Sequence, residues 1–301
     1  MPRSRTLMTV QILFAICSGL TCLSLNAFSQ SAPSVQSSNP FEDFFNRLAA
    51  AQGVGGRRGE ATYIKLTDSI GAMTPAEIAA GIPVIDRQID STAEPEDRLA
   101  KVDAANLLMF ISWRPDGAEL LASQIDRLAS MLNDPSHLLS GPAVMTLQSI
   151  SRRRPDAVVP ILEAALKLPE VNNSTGVGPG IAGILLQAAP PDEESTKDIV
   201  EYMRRPDLTE SQLVATIMGI NNSPVIPDSI TAELVRCLDR PNDRIKIRAL
   251  MGIAGSSQSA KDTARVRIQK MAKDPGETAH VRRIATEALE GKITENPESN
   301  K

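Results

Sequence analysis

The chain reads as an all-α protein, a solenoid of stacked helical hairpins, and three observations predict it. A proline recurs at Pro135, Pro169, Pro206, Pro241 and Pro275, in steps of about 35 residues. Counting back from each, positions −7, −4 and −3 read Leu128/Met131/Leu132, Leu162/Ala165/Leu166, Ile199/Tyr202/Met203, Leu234/Cys237/Leu238 and Ile268/Met271/Ala272, one apolar stripe at helical spacing in five consecutive copies. Aromatic residues make up only 3% of the chain, so the core is built from Leu, Ile, Val, Ala and Met. That composition suits closely packed helices and argues against an aromatic-lined pocket or a base-stacking platform. Because an array grows by adding units that touch only their neighbours, the 301 residues are read as one elongated domain behind an N-terminal leader.

The leader comes first. Arg3 and Arg5 precede an apolar run from Leu7 to Leu25 and the small residues Ala27 and Ser29. This is the pattern of a secretory signal peptide over residues 1–29, cut after Ser29, which sets the expected location as periplasmic or secreted. An uncleaved helix that tethers the chain to the membrane is the alternative, because the run approaches spanning length. Neither Cys17 nor Cys22 follows the small-residue pattern of a lipid-anchored cysteine. Cleavage leaves Cys237 as the one thiol, at the repeat position that Met271 fills one unit later, where it reads as a small buried hydrophobe.

Residues 30–59 form a flexible spacer containing a short amphipathic helix over 40–51. Asn39 is the N-cap, Pro40 fits the first helical position, and Phe41, Phe44, Phe45 and Leu48 fall on one face. Two readings stand: a cap on the open end of the array, or a helix that docks into a partner's groove. The motif PFEDFF resembles the segment ahead of the protease domain in periplasmic HtrA-type serine proteases, but no Gly-Asn-Ser-Gly-Gly segment follows and no protease activity is implied. GVGGRRG, from Gly53 to Gly59, is a glycine-rich joint.

The array is expected over 60–291. Helices around Ala61–Ile70 and Pro75–Ile89 make a divergent first unit, with Ile78, Ile82, Ile85 and Ile89 on one face and Pro83 expected to bend or interrupt the second helix. In the last unit Val281, Ile284, Ala285, Ala288 and Leu289 form the stripe of the helix after the proline, and Gly291 ends it. One unit earlier the corresponding positions are Ile247, Leu250, Met251 and Ala254. Thr209 and Gln212 predict a capping box. After Pro169 the second helix is expected to begin late, carrying Ile181, Ile184, Leu185 and Ala188, because NNSTGVGPG is read as an inserted loop. Residues 292–301 are a polar, disordered tail.

Convergent polar chemistry is scarce. His137 and His280 are the only histidines, lie far apart in the repeat order and match no metal-binding spacing. GVGPG at Gly176–Gly180 lacks the Lys-Ser/Thr of a phosphate loop, and Pro179 removes an amide such a cradle would use. Asp192, Glu193 and Glu194 read as a solvated helix start. No catalytic residue, cofactor site or metal site is assigned. Charge is uneven: Asp156–Glu201 holds eight acidic and two basic residues, whereas Thr231–Glu290 holds eight acidic and twelve basic, among them Arg265, Arg267, Lys270 and Lys273. Loss of Arg3 and Arg5 with the signal takes the net charge from −4 to −6, and no aromatics interleave with the basic residues, so nucleic acid is not an expected partner.

The stretch DPGETAHVRRIATEALEG, Asp274–Gly291, resembles the HEAT repeat in its bacterial, phycobilin-lyase-like form, with Val281, Arg282, Ala285, Ala288 and Leu289 matching the second helix. The preceding unit keeps Ile247, Arg248 and Ala254 but has Arg240-Pro241 at the turn, and Asp134-Pro135 matches the turn without the arginine after it. The resemblance covers roughly Pro95–Gly291 and implies a right-handed α–α superhelix whose post-proline helices line the concave face. The tetratricopeptide repeat has a similar period but wants large aromatics where this chain has Val281, Ala288 and Ile268. The leader together with this resemblance makes an exported, non-catalytic scaffold for a protein or peptide partner the expected reading, with Arg244, Arg248, Arg282 and Arg283, and Phe41, Phe44 and Phe45 of the amphipathic helix, as candidate contacts. A lyase-like enzyme or cofactor-attachment factor is the rival reading; export and the lack of a nucleophile or acid/base pair stand against it. The membrane enters only if the leader stays uncleaved.

Overall fold

The computed structural model describes residues 41–43, 68–91, 97–134, 138–168, 171, 176–188 and 193–293. The leader, most of the spacer, Phe44, Phe45, the Gly53–Gly59 joint, residues 61–67, His137, Asp192 and the final residues from 294 lie outside them. The chain divides into two compact units, Met1–Ser69 and Ile70–Lys301. In the first, residues 41–43 are helical and Phe41 is buried.

The second unit is an all-α solenoid. Its helices are α1 (Pro75–Asp90), α2 (Asp97–Ser112), the short α3 (Gly117–Leu120), α4 (Ile125–Leu132), α5 (Ser140–Ser151), α6 (Pro155–Leu166), α7 (Val177–Ala188), α8 (Glu193–Met203), α9 (Glu210–Asn221), α10 (Asp228–Cys237), α11 (Asp243–Gly255), α12 (Gln258–Lys273) and α13 (Ala279–Leu289). No strand occurs among the described residues. The helices that precede each recurring proline pack one on the next as a first layer, α4 on α6, α6 on α8, α8 on α10 and α10 on α12. Those that follow it form a second, α5, α7, α9, α11 and α13 in turn, with α2 packed on α5 ahead of them. Contacts between α4 and α5, α6 and α7, α10 and α11, and α12 and α13 join the layers. Each hairpin thus buries its apolar stripe against its neighbours, the condition that makes a repeat array stable only as a stack.

Of the fifteen side chains in the predicted stripe, all but Ala272 are buried. Ala272 belongs to the last of the described hairpins and is half-exposed. The exposed residues of that hairpin are mostly polar, Arg265, Gln269, Lys273, His280, Arg283 and Thr286 among them, with Val266 exposed as well. Gly291 closes α13 in the left-handed region at φ 66°, and Lys292 N–H donates to Glu287 O at 2.8 Å in the closing turn. The Thr209/Gln212 capping box is present at α9, and Thr74 with Glu77 makes another at α1.

Three local expectations are corrected. Helix α1 continues through Pro83. The proline and Ala79, whose carbonyl receives no amide from residue 83, are both exposed, and burial of Ile78, Ile82, Val84, Ile85 and Ile89 holds the helix together. An interior proline costs about 3 kcal/mol, against about 1.5–3 kcal/mol gained for each large side chain buried. Next, GVGPG is not a loop: α7 begins at Val177, and Gly180 N–H already donates to Gly176 O at 3.0 Å. Pro179 fits there because the first-turn amides of a helix have no intrahelical acceptor. Glycine is needed at 178, where a Cβ would lie 2.2 Å from the Tyr202 hydroxyl of α8. Lastly, the buried arc of α11 is Ile245, Ala249, Leu250, Gly252 and Ile253, leaving Ile247, Met251 and Ala254 half-exposed. An inner helix with α9 on one side and α13 on the other buries more than the single stripe that serves the terminal α13.

Polar contacts set the register between units. The N-cap side chain of a helix donates to the acidic first residue of the preceding helix in its own layer: Asn242 Nδ2 to Glu210 at 2.7 Å, Thr278 Oγ1 to Asp243 at 2.7 Å and Ser257 Oγ to Asp228 at 2.8 Å. Each carboxylate also favours the positive end of its own helix. Salt links join the first layer, including Arg127 to Asp86 and Asp90 at 3.0 and 2.7 Å, Lys167 to Asp198 at 2.9 Å and Arg204 to the buried Glu233 at 2.7 Å. The second layer instead closes on small residues. Gly183 of α7 meets Gly219 of α9 so closely that a Cβ on either would sit 3.3 Å from the other's Cα.

Candidate partner-binding surface

The four arginines singled out by the sequence lie on α11 and α13, adjacent helices of the second layer. Arg244 is exposed in the first turn of α11, where its amide donates to the Asn242 cap at 2.9 Å. Arg248, one turn on, is half-buried, with Nη1 3.8 Å from Met251 Sδ. Arg282 is half-buried and donates through Nη1 to Glu277 O at 2.5 Å, whereas Arg283 is exposed and pairs with Glu287 at 2.5 Å along its own helix. The half-exposed Ile247, Met251 and Ala254 lie beside Arg244 and Arg248 on α11, so the surface is basic with an aliphatic strip.

Glu277 organises this corner. Its carboxylate meets Lys246 Nζ at 2.6 Å with both side chains nearly buried, at 11% and 12% exposure, while its carbonyl holds Arg282. Two helices are thereby fixed relative to each other by one residue just ahead of the Thr278 cap. Sequence reasoning passed over this pair. The only available signal was a Lys and a Glu about one repeat apart, which counts as an ordinary charged surface until the fold buries both.

Of the remaining candidates, Phe41 is buried and so does not present its ring to solvent. His280 is exposed at the start of α13. Glu193 and Glu194 are exposed at the start of α8, as expected of a solvated helix start. Among the described residues no group of three or more His, Cys, Asp or Glu side chains is placed to hold a metal ion. Burial pushes the Cys237 thiol up to about 12, with Glu233 adding to the rise. Burial likewise raises the Tyr202 phenol to about 12; its hydroxyl faces Thr216 without completing a hydrogen bond. Neither group offers an anion near neutral pH.

No family model matches the chain, and neither does any curated protein. Among solved structures it is similar to a designed armadillo repeat protein, YIII(Dq)4CqI, at 17% identity over 70% of this chain and 99% of that one, with a TM-score of 0.42. A second similar structure is of computationally designed armadillo repeat proteins for modular peptide recognition, at 15% identity over 70% of this chain and 99% of that one, with a TM-score of 0.44. A third is an engineered protein, at 17% identity over 82% of this chain and 68% of that one, with a TM-score of 0.43. Among the described residues no helix is long and apolar enough to cross a membrane.

Proposed function

We propose that the chain is an exported, HEAT-like scaffold that binds another protein or peptide on the face of its second layer and performs no chemistry of its own. The observation that carries this reading is the basic and aliphatic surface of α11 and α13, held in place by Lys246 and Glu277. Arginines beside a partly exposed aliphatic strip suit a partner with carboxylates next to apolar side chains. Unequal packing supports the second layer as the inside of the curve. Its helices close to backbone contact at Gly183 and Gly219, while the first layer is spaced by long side chains such as Arg204 and Glu233, and a stack bends toward its tighter side.

Immobilised mature chain should retain a dominant protein from a cell-envelope extract, and the double variant R248E/R282E should retain about tenfold less of it. Retention should also fall as salt screens the contact. Equal capture by wild type and variant, or no capture across a salt series, refutes the reading.

Export is part of the proposal, with release after Ser29 into the periplasm or beyond. Thiol titration reports it directly. A chain cut after Ser29 should show no reactive thiol when native, because Cys237 is buried with its thiol raised, and one when unfolded. An uncut chain carries Cys17 and Cys22 as well, and three thiols on unfolding would show that the leader remains attached.

A further inference from the structure

We propose that the edge where α2 and α5 end is a second docking site, separate from the second-layer face, and that it takes an acidic peptide segment bearing an apolar side chain. Trp113, the first residue beyond α2, is 50% exposed. Phe110 holds its ring edge-on, with centroids 5.2 Å apart and planes at 70°. Its indole N–H has no acceptor among the described residues. A rigid aromatic half out in solvent has apolar area left to bury at little further cost in side-chain entropy.

Beside it stands the longest basic run of the chain, Arg152, Arg153 and Arg154, at the end of α5. Ser149 Oγ donates to Ser112 O at 2.7 Å, which pins the last turn of α5 to the last residue of α2. Arg152 is exposed and has no carboxylate partner among the described residues. Arg153 reaches Glu119 only at 3.8 Å and Arg154 reaches Asp156 only at 3.9 Å, with exposed side chains throughout. Such loose pairs exchange readily for a better carboxylate.

The chemistry of the occupant follows. A basic partner is repelled, and a neutral one would cover Arg152 and Arg153 without satisfying them. A continuous anionic surface, whether a lipid headgroup layer or a nucleic-acid backbone, meets Asp116, Glu119 and Asp156 set among the arginines. A peptide spaces its carboxylates, so it can offer them to Arg152 and Arg153, avoid the three acids and lay an apolar side chain on Trp113.

Because Trp113 is the only tryptophan, its emission reads this site alone. The mature chain is titrated with a random copolymer of glutamate and phenylalanine, which presents acidic and apolar neighbours in every local order. Emission should shift to the blue and saturate, and added salt should reverse it. In R152E/R153E the apparent affinity should fall at least about tenfold; R152A, which removes one exposed side chain without adding charge, should shift it in the same direction. R248E/R282E should leave the titration unchanged, which separates this site from the one proposed above. In the R248E/R282E background, where the second-layer face no longer takes the copolymer, adding W113A should remove most of the remaining heat of binding. No shift with the acidic copolymer, an equal shift with a lysine and phenylalanine copolymer, or indifference to R152E/R153E would overturn the proposal. A comparable shift with vesicles rich in phosphatidylglycerol would overturn it too, in favour of a membrane contact.

Discussion

Replacing Gly183 with leucine is expected to split the thermal unfolding of the array into two transitions. At this position a Cβ would already lie 3.3 Å from Gly219 Cα and 3.7 Å from its carbonyl carbon, and what faces it is backbone that cannot swing aside. Leucine adds three more carbons in that direction, an overpacking with a typical cost of about 1–3 kcal/mol. The damage falls on the α7–α9 contact in the middle of the stack, and stability in an array is a sum of unit and nearest-neighbour terms. Weakening one central interface uncouples the two halves. Trp113 lies on the N-terminal side, so its fluorescence should follow one half while helical circular dichroism follows both. Coincident single transitions in G183L would show that α7 and α9 are not the coupling point. G141A is the control, since a Cβ there meets nothing within 4 Å.

Lys246→Ala should cost about 3–5 kcal/mol in urea unfolding, the range for leaving one charge of a buried pair without its partner. Glu277, 11% exposed and 2.6 Å from the ammonium, would lose that partner. The same substitution should weaken capture of a partner, because the carbonyl of Glu277 positions Arg282. The double variant K246M/E277L should recover most of the stability, since apolar side chains of similar volume replace buried ion pairs at little cost. A loss below about 1 kcal/mol for K246A would mean that the pair is solvated and does not organise the corner.

The layered architecture could be read from the sequence because it rests on spacing. Leu162, Leu166, Leu234 and Leu238 must face inward wherever a helix of that register is stacked on both sides, and they are buried. What could not be read depends on neighbours not adjacent in sequence. Val177–Gly180 looks like a loop by composition. Its glycine at 178 answers to Tyr202 on the next helix, which fills the space that a side chain there would take. The arc of α11 does not follow from the stripe of α13 one unit on, since α11 packs between α9 and α13 whereas α13, among the described residues, has only α11 beside it in its layer. Pro83 breaks a rule of helix interiors, and the rule yields where the ring lies on the exposed side of the helix and five apolar side chains are buried on the other. Of the candidate surface, the arginines were legible as charge on post-proline helices. Their fixing by Glu277 and Lys246 was not, because charge says nothing of burial.

The hydrogen bonds from Asn242, Thr278 and Ser257 to the opening carboxylates of Glu210, Asp243 and Asp228 have a consequence for how such a chain can lengthen. In the second layer these junctions repeat one pattern, so a tandem copy of the α10–α11 hairpin inserted after α11 would bring its own asparagine to the aspartate at 243, while the copied α10, capped by Pro227, would bring no such donor to Asp228. Growth by duplication is therefore half prepared: the second layer offers each added hairpin a carboxylate to dock on, and the first layer would need a new donor in place of Pro227.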